Sequence, residues 1–381
     1  MKIIDVRAIP LIGQNDTTDW TAKFAPKQED WMHTVIIVET DAGITGYGSV
    51  YSGGHLIEAA LRFLRPVIVG QSPLGPTAVT EFLHQSTFWQ GFGGTLTHAI
   101  SGVDIALWDI FGKATGQSVS RLLGGRYREQ IRPYGSLLMA EPAEMTARVR
   151  AAKAKGFRAF KIGWGPFGRR NDPALDEAIV AAARDAAGPE CELMVDAGGS
   201  EQFWPNGLKW ALRTADMLTK YDVAWFEEPL RPDDIEGYIE LTKQAPLPIS
   251  AGEVLTRRQT FLPWLQRHAV DYIQPDVTKS GGLSEQFRIA QTAYDFNVLH
   301  VPHGWNTAIG LAADLQLVAA LPAARWVEYM TPSQYIDGMF IAPIALNADG
   351  MLDIPDRPGL GFEWNLDYIN TLSRGALFAK K

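Results

Sequence analysis

The chain opens on runs in which β-branched residues dominate. Ile3 to Leu11 and Thr34 to Thr40 are rich in Val and Ile, and Asp41-Ala42-Gly43 supplies a turn into Ile44 to Ser49. Between the first two runs lies Gly13 to Glu29, polar and aromatic with no clear period. A stretch of that length predicts a functional flap rather than a connector. Helical periodicity follows at His55–Ile68, Pro76–Gln85 and Thr95–Lys113, the last with Ile100, Val103, Ala106, Leu107 and Ile110 on one side. This first part reads as an α+β module.

Beyond residue 130 the pattern changes and repeats. Short apolar runs fall at Ile131–Leu138, Arg158–Gly163, Glu192–Ala197, Val223–Glu228, Pro248–Gly252, Tyr272–Val277, Val298–His303 and Arg325–Met330. Amphipathic helical stretches separate them, for example Pro142–Lys155, Asp172–Ala187 and Glu285–Tyr294. Eight β segments alternating with seven helical patterns predict an α/β fold with a (β/α)7β modified TIM barrel. A doubly wound open sheet is the competing architecture, but no Gly-rich dinucleotide fingerprint follows any early strand.

Composition narrows the partners. The 381 residues include 35 Lys and Arg against 43 Asp and Glu, a net charge of −8. Phosphate surfaces need clustered cations, so neither a nucleic acid nor an anionic membrane is expected. One cysteine, Cys191, leaves no internal disulfide to form and fits a reducing, cytoplasmic setting. Asp5 and Arg7 stand where a signal peptide needs an apolar core, and Asp314 and Gln316 break the apolar run from Leu311 to Leu321.

The ionisable residues cluster by position rather than by number. Seven of the eight β segments end in one: Lys161, Asp196, Glu227, Glu253, Asp276, His303 and Glu328. The C-terminal strand ends of such a barrel converge on one mouth. Asp196, Glu227 and Glu253 end three consecutive strands, and three converging carboxylates repel unless a cation joins them. An all-oxygen set suits Mg2+; a solvated acidic rim is the alternative. Glu228 is expected on the other face of its strand. Asp276 and His303 end neighbouring strands, as a carboxylate that sets an imidazole's tautomer and raises its basicity would. His300 alternates away from that face. Lys161 is placed to hold an anionic substrate beside the metal, or else to pair with a carboxylate. Glu328 is placed against a substrate oxygen, or in a structural ion pair.

These residues resemble the enolase superfamily, and specifically its mandelate racemase-like branch. The resemblance spans nearly the whole chain. It is carried by SGVDIALWDIFGKATG (Ser101–Gly116), WFEEPL around Glu227, AGE ending at Glu253, QPDVTKSGG (Gln274–Gly282), VPHGW around His303 and IPDRPGLGFEW (Ile354–Trp364). It implies an α+β N-terminal capping domain completed by the C-terminal segment, hence residues 1–126 with 335–381 as cap and 127–334 as barrel. It also implies Mg2+-assisted removal of the proton α to a carboxylate. Asp196, Glu227 and Glu253 match the metal-ligand positions, Asp276 and His303 the His–Asp dyad, and Glu328 the residue that bonds the substrate carboxylate. Lys161 matches the first residue of the usual Lys-x-Lys, but Gly163 replaces the second, and Gly198 stands where Asn is often found.

With one credible base, racemisation is disfavoured and β-elimination of water is expected. His303 takes the C2 proton of a sugar acid, which loses its 3-hydroxyl to give a 2-keto-3-deoxy acid. A sugar-lactone cycloisomerase or epimerase is the alternative within the superfamily, and a non-catalytic carbohydrate-acid binder the alternative outside enzymes. Trp20 and Phe24 in the flap, His55 after Ser52-Gly53-Gly54, and Trp305 are candidate substrate contacts. Trp164 and Trp204 also follow strand ends. Family members assemble as dimers or octamers, so a homo-oligomer is expected.

Overall fold

The computed structural model describes residues 1–12, 32–198 and 206–379. Strands β1 (Ile3–Leu11), β2 (His33–Thr40) and β3 (Thr45–Val50) form an antiparallel meander. Its buried Val6, Ile36, Val38 and Val50 pack in one cluster with residues of α1 (Gly54–Ile68), α2 (Pro76–Ser86) and α3 (Thr95–Thr115). The approach of α3 to β3 is close: a Cβ on Gly48 would stand 1.8 Å from the Gly102 carbonyl oxygen. Only glycine fits there.

The short α4 (Val119–Leu122) leads into the repeat. The strands are β4 (Gln130–Leu138), β5 (Ala159–Gly163), β6 (Glu192–Asp196), β7 (Val223–Glu227), β8 (Ile249–Ala251), β9 (Tyr272–Ile273), β10 (Leu299–His300) and β11 (Trp326–Met330). The helices between them are α5 (Pro142–Ala154), α6 (Pro173–Ala187), α7 (Leu208–Leu218), α8 (Ile235–Gln244), α9 (Arg257–Gln266), α10 (Gly282–Asp295) and α11 (Ala308–Ala319). The strands are parallel and lie in the order β11-β4-β5-β6-β7-β8-β9-β10, the cyclic order of a barrel. Among the described residues no ladder joins β10 to β11. From β11, Trp326 meets Trp225 of β7 edge-on at 5.2 Å and Tyr272 of β9 at 6.0 Å in the barrel interior. Tyr134, Met194, Trp225, Val301 and Trp326 plug the interior.

Two strands are shorter than their apolar runs predict. Tyr272–Val277 and Val298–His303 ladder at two residues each, because Pro275 and Pro302 have no N–H to donate. Pairing resumes as a bridge between Asp276 and His303, with the His303 N–H donating to the Pro275 carbonyl at 3.2 Å.

After β11 the chain adds β12 (Leu352–Asp353), antiparallel to β4, and α12 (Leu366–Leu372), then returns to the first sheet. The Ile12 N–H donates to the Leu372 carbonyl at 2.8 Å, and Trp364 meets Tyr47 edge-on at 6.5 Å. Among the described residues no helix is long and apolar enough to cross a membrane.

Candidate active site

The strand ends bring the expected residues together. Asp196 closes β6, Glu227 closes β7, and Glu253 follows β8 by two residues. One oxygen from each lies within 4.8 Å of the others, and all three residues are buried. Burial, and then the charge of Glu227, push the Asp196 carboxyl well above the usual carboxylate range. An anionic, all-oxygen set whose members repel one another is what a hard divalent cation neutralises. These three residues can therefore hold a metal ion.

Each oxygen of Glu227 is fixed. Oε1 accepts from the Lys161 ammonium at 2.6 Å, and Oε2 from Trp225 Nε1 at 3.0 Å and Gln274 Nε2 at 2.9 Å. The same Lys161 ammonium lies 3.2 Å from Glu328 Oε1 and 3.6 Å from Asp196 Oδ2. Burial alone would lower it, but Glu227 and Glu328 outweigh burial and hold it charged. Glu328 Oε2 accepts from the Tyr134 hydroxyl at 3.1 Å and from the Gly304 N–H at 2.7 Å.

His303 stands between two carboxylates. Its Nδ1 is 2.7 Å from Asp276 Oδ2 and its Nε2 2.9 Å from Glu253 Oε2. Burial would lower this imidazole, but Glu253 and Glu328 outweigh it and raise it well above its ordinary value. Asp276 Oδ1 accepts twice from Thr278, from the N–H at 2.7 Å and the hydroxyl at 2.6 Å. His300 is buried on another side, against Gln286, in keeping with the alternation.

Glu228 departs from its expected face. Its φ of 43° breaks the strand alternation, and its carboxylate lies beside Gly198 and Asp196. Burial, then the charges of Glu253, Asp196 and Glu227, push it well above the usual carboxylate range.

The two glycines that depart from the family pattern have a steric reason. A Cβ on Gly163 would stand 2.7 Å from Asp196 Cβ, and one on Gly198 would stand 2.8 Å from Asp196 Oδ1 and 2.9 Å from Glu228 Oε2. The Gly198 N–H also donates to Asp196 Oδ1 at 2.7 Å. Side chains at either position would occupy the space of Asp196.

Lys279 and Tyr51 join the cluster without having been anticipated. The Lys279 ammonium lies 3.8 Å from both Glu253 Oε1 and Asp276 Oδ2, with the Tyr51 ring of the first module 4.5 Å away. His33 packs on Tyr51 and Tyr335, and burial pushes it down to about 3, so it is neutral. The one sequence signal was the place of Lys279 inside QPDVTKSGG, three residues beyond Asp276.

The specificity candidates fare unevenly. Trp20, Phe24 and Trp204 lie outside the described residues. His55 is exposed in the first turn of α1, whereas Tyr51, four residues earlier, is the one over Lys279. Trp164 and Trp305 are half-buried, and Trp305 packs against the main core.

Fold and site together define a barrel enzyme of the enolase type. Residues 144–368 match the family model "Enolase C-terminal domain-like", and residues 24–124 match "Mandelate racemase / muconate lactonizing enzyme, N-terminal domain". The chain belongs to the enolase superfamily, in its mandelate racemase and muconate lactonizing enzyme branch. It is 32% identical to a D-galactarolactone cycloisomerase of Agrobacterium fabrum, over 97% of this chain and 98% of that one. It is also 32% identical to a D-galactonate dehydratase of Pectobacterium atrosepticum, over 91% and 92% of the two chains. Among solved structures, the 3,6-anhydro-D-galactonate cycloisomerase of Zobellia galactanivorans superposes with a TM-score of 0.85, at 30% identity over 98% and 99% of the chains.

Proposed function

We propose that the protein is a Mg2+-dependent sugar-acid dehydratase, a carbon–oxygen hydro-lyase. Asp196, Glu227 and Glu253 would hold Mg2+. When bound, the ion acts as a Lewis acid on the substrate carboxylate and so acidifies the C2 proton. With Glu253 engaged as a ligand, His303 Nε2 is free to take that proton, while Asp276 on Nδ1 keeps the imidazole in the required tautomer. Lys161 binds the substrate carboxylate and the enediolate that forms from it, and Glu328, 3.2 Å from the ammonium, holds that ammonium in place. The C2–H electron pair then makes the C2–C3 double bond as the C3–O bond breaks. The hydroxyl leaves as water with the proton from His303, in a syn elimination. The enol tautomerises to a 2-keto-3-deoxy acid.

The observation that carries this reading is that His303 is the one base of this kind among the described residues of the site. His303 has its Asp partner, while Gly163 leaves no room for a second base on the opposite strand end. The relatives named D-galactonate and D-xylonate dehydratases support it. Similarity to two cycloisomerases favours a second reading, opening of a sugar lactone by the same base. Product mass separates them when the Mg2+-loaded protein is incubated with aldonic acids, aldaric acids and their lactones. Dehydration gives a 2-keto acid lighter by one water, and isomerisation gives no change in mass. No product from any of them would count against both and favour a binder.

The return of the C-terminal segment to the first sheet supports a cap of residues 1–126 with 335–381 over a barrel of 127–334. The relatives named sugar-acid dehydratases support a small-molecule substrate, the net charge of −8 speaks against a nucleic-acid or anionic-membrane partner, and the lone Cys191 fits the cytoplasm. A homo-oligomer, a dimer or octamer, is the assembly that sedimentation should find.

A further inference from the structure

Behind the dyad lies a group of buried polar side chains that the proposed chemistry leaves unused. Asp314, in α11, has no solvent exposure, and neither of its oxygens makes a hydrogen bond of ordinary geometry, although the Asn306 side chain approaches it. Asn306 is equally buried, and its Nδ2 also lacks a partner. Leaving such groups unmatched in the interior is costly. Yet the two side chains are neighbours. A Cβ on Gly310 would stand 2.7 Å from Asn306 Cβ and 3.0 Å from its Nδ2. The glycine thus lets the amide lie against α11, where Asp314 is within reach one turn further on.

The proton inventory resolves the mismatch. Thr278 Oγ1 is 2.6 Å from Asp276 Oδ1 and 3.1 Å from Asn306 Oδ1. A hydroxyl has one hydrogen, and the shorter contact with the Asp276 carboxylate takes it. Two oxygens then face each other across the 3.1 Å contact. Turning the amide by half a rotation preserves its shape and exchanges O for N. Nδ2 then donates to Thr278 Oγ1, and Oδ1 faces Asp314. To donate to that oxygen, Asp314 must carry a proton. Its setting agrees: burial, then the charge of Asp276, push this carboxyl well above the usual carboxylate range.

We propose that Asp314, as a neutral carboxylic acid, starts a one-way hydrogen-bond chain through Asn306 and Thr278 that fixes Asp276 behind His303. Thr278, Asn306 and Asp314 are positioning residues. The chain occupies Asp276 Oδ1, so Oδ2 is left to the imidazole and the dyad has one geometry. This buried chain deepens the proposed function and rests on it for its catalytic consequence, but not for its spectroscopy.

Infrared spectra of the Mg2+-loaded protein without substrate test the protonated end. Measured well above the titration of buried Asp104, which lies at about 6, the wild type shows the C=O stretch of a neutral carboxylic acid. The band moves on carboxyl-13C labelling of Asp and is absent from Asp314→Asn. If Asp314→Asn does not fold, Asp314→Glu replaces it, and its band should no longer move on carboxyl-13C labelling of Asp. No such band overturns the proposal. Imidazole 15N signals test the other end: Thr278→Val shifts the His303 resonances and Thr278→Ser restores them. Equal spectra for Val and Ser overturn the chain. If a sugar acid is turned over, Thr278→Val lowers kcat about ten-fold with KM unchanged, and Ser recovers it. The infrared and imidazole results stand whether or not a sugar acid is turned over.

Discussion

Gly163→Ala is the smallest perturbation that tests why this site has lost the usual second lysine. The added methyl carbon would stand 2.7 Å from Asp196 Cβ and 3.0 Å from Asp196 Oδ2. Carbon atoms in ordinary contact sit about 3.5–4.0 Å apart, so one of the two must retreat by roughly 1 Å. Both ends of that contact are set in strands, since Gly163 pairs with Asp196 in the ladder between β5 and β6. The carboxylate therefore gives way. Disturbing the support of a metal ligand costs about 10–100-fold in affinity, or about 1.4–2.7 kcal/mol. Titration calorimetry of Mg2+ into the metal-free protein measures this without substrate. Gly207→Ala is the control, because nothing lies within 4 Å of its new methyl group. Gly163→Ala should bind Mg2+ at least ten-fold more weakly than Gly207→Ala. Equal affinities would refute the steric argument and reopen the question of what the missing lysine means.

Three further outcomes follow from the same geometry. Lys161→Met leaves Glu227, Glu328 and Asp196 without their shared cation; breaking a buried pair costs about 3–5 kcal/mol, so calorimetry should show a lower Tm for the metal-free variant. Added Mg2+ recovers part of that stability but not turnover. In the wild type, Mg2+ at about 100 times its Kd should add about 2.7 kcal/mol, and a chelator should remove it; a Tm indifferent to Mg2+ would exclude a structural metal site. Arg121, then Ser118, hold Asp356 down to about 2 from 3.8, so this contribution to stability is present above 3.8 and lost as pH falls toward 2. Arg121→Ala should accordingly unfold earlier in denaturant at neutral pH, with the gap to wild type narrowing below 3.8.

Much of the site was legible because strand ends in a barrel are a positional code. Lys161, Asp196, Glu227, Glu253, Asp276, His303 and Glu328 converge because parallel strands in cyclic order deliver their C-terminal ends to one mouth. What escaped reading depended on contacts between distant segments. Tyr51 reaches Lys279 across more than half the sequence, and no local pattern announces that. Glu228 defeats alternation through a positive φ at the end of its strand, where the pleat no longer applies. Gly163 and Gly198 read as losses of chemistry, yet each is where Asp196 needs space. Pro275 and Pro302 sat inside runs that look continuous by hydrophobicity, and only the missing N–H groups shorten β9 and β10.

The central claim is that His303, held by Asp276, removes the C2 proton of a sugar acid at this site. Proton NMR in deuterated water, on Mg2+-loaded protein with the acid that product analysis selects, follows that proton directly. The wild type should consume substrate, with loss of the C2–H signal, while His303→Asn binds Mg2+ but leaves the signal untouched over the same period. Exchange at an unchanged rate in His303→Asn would place the base elsewhere and contradict the account.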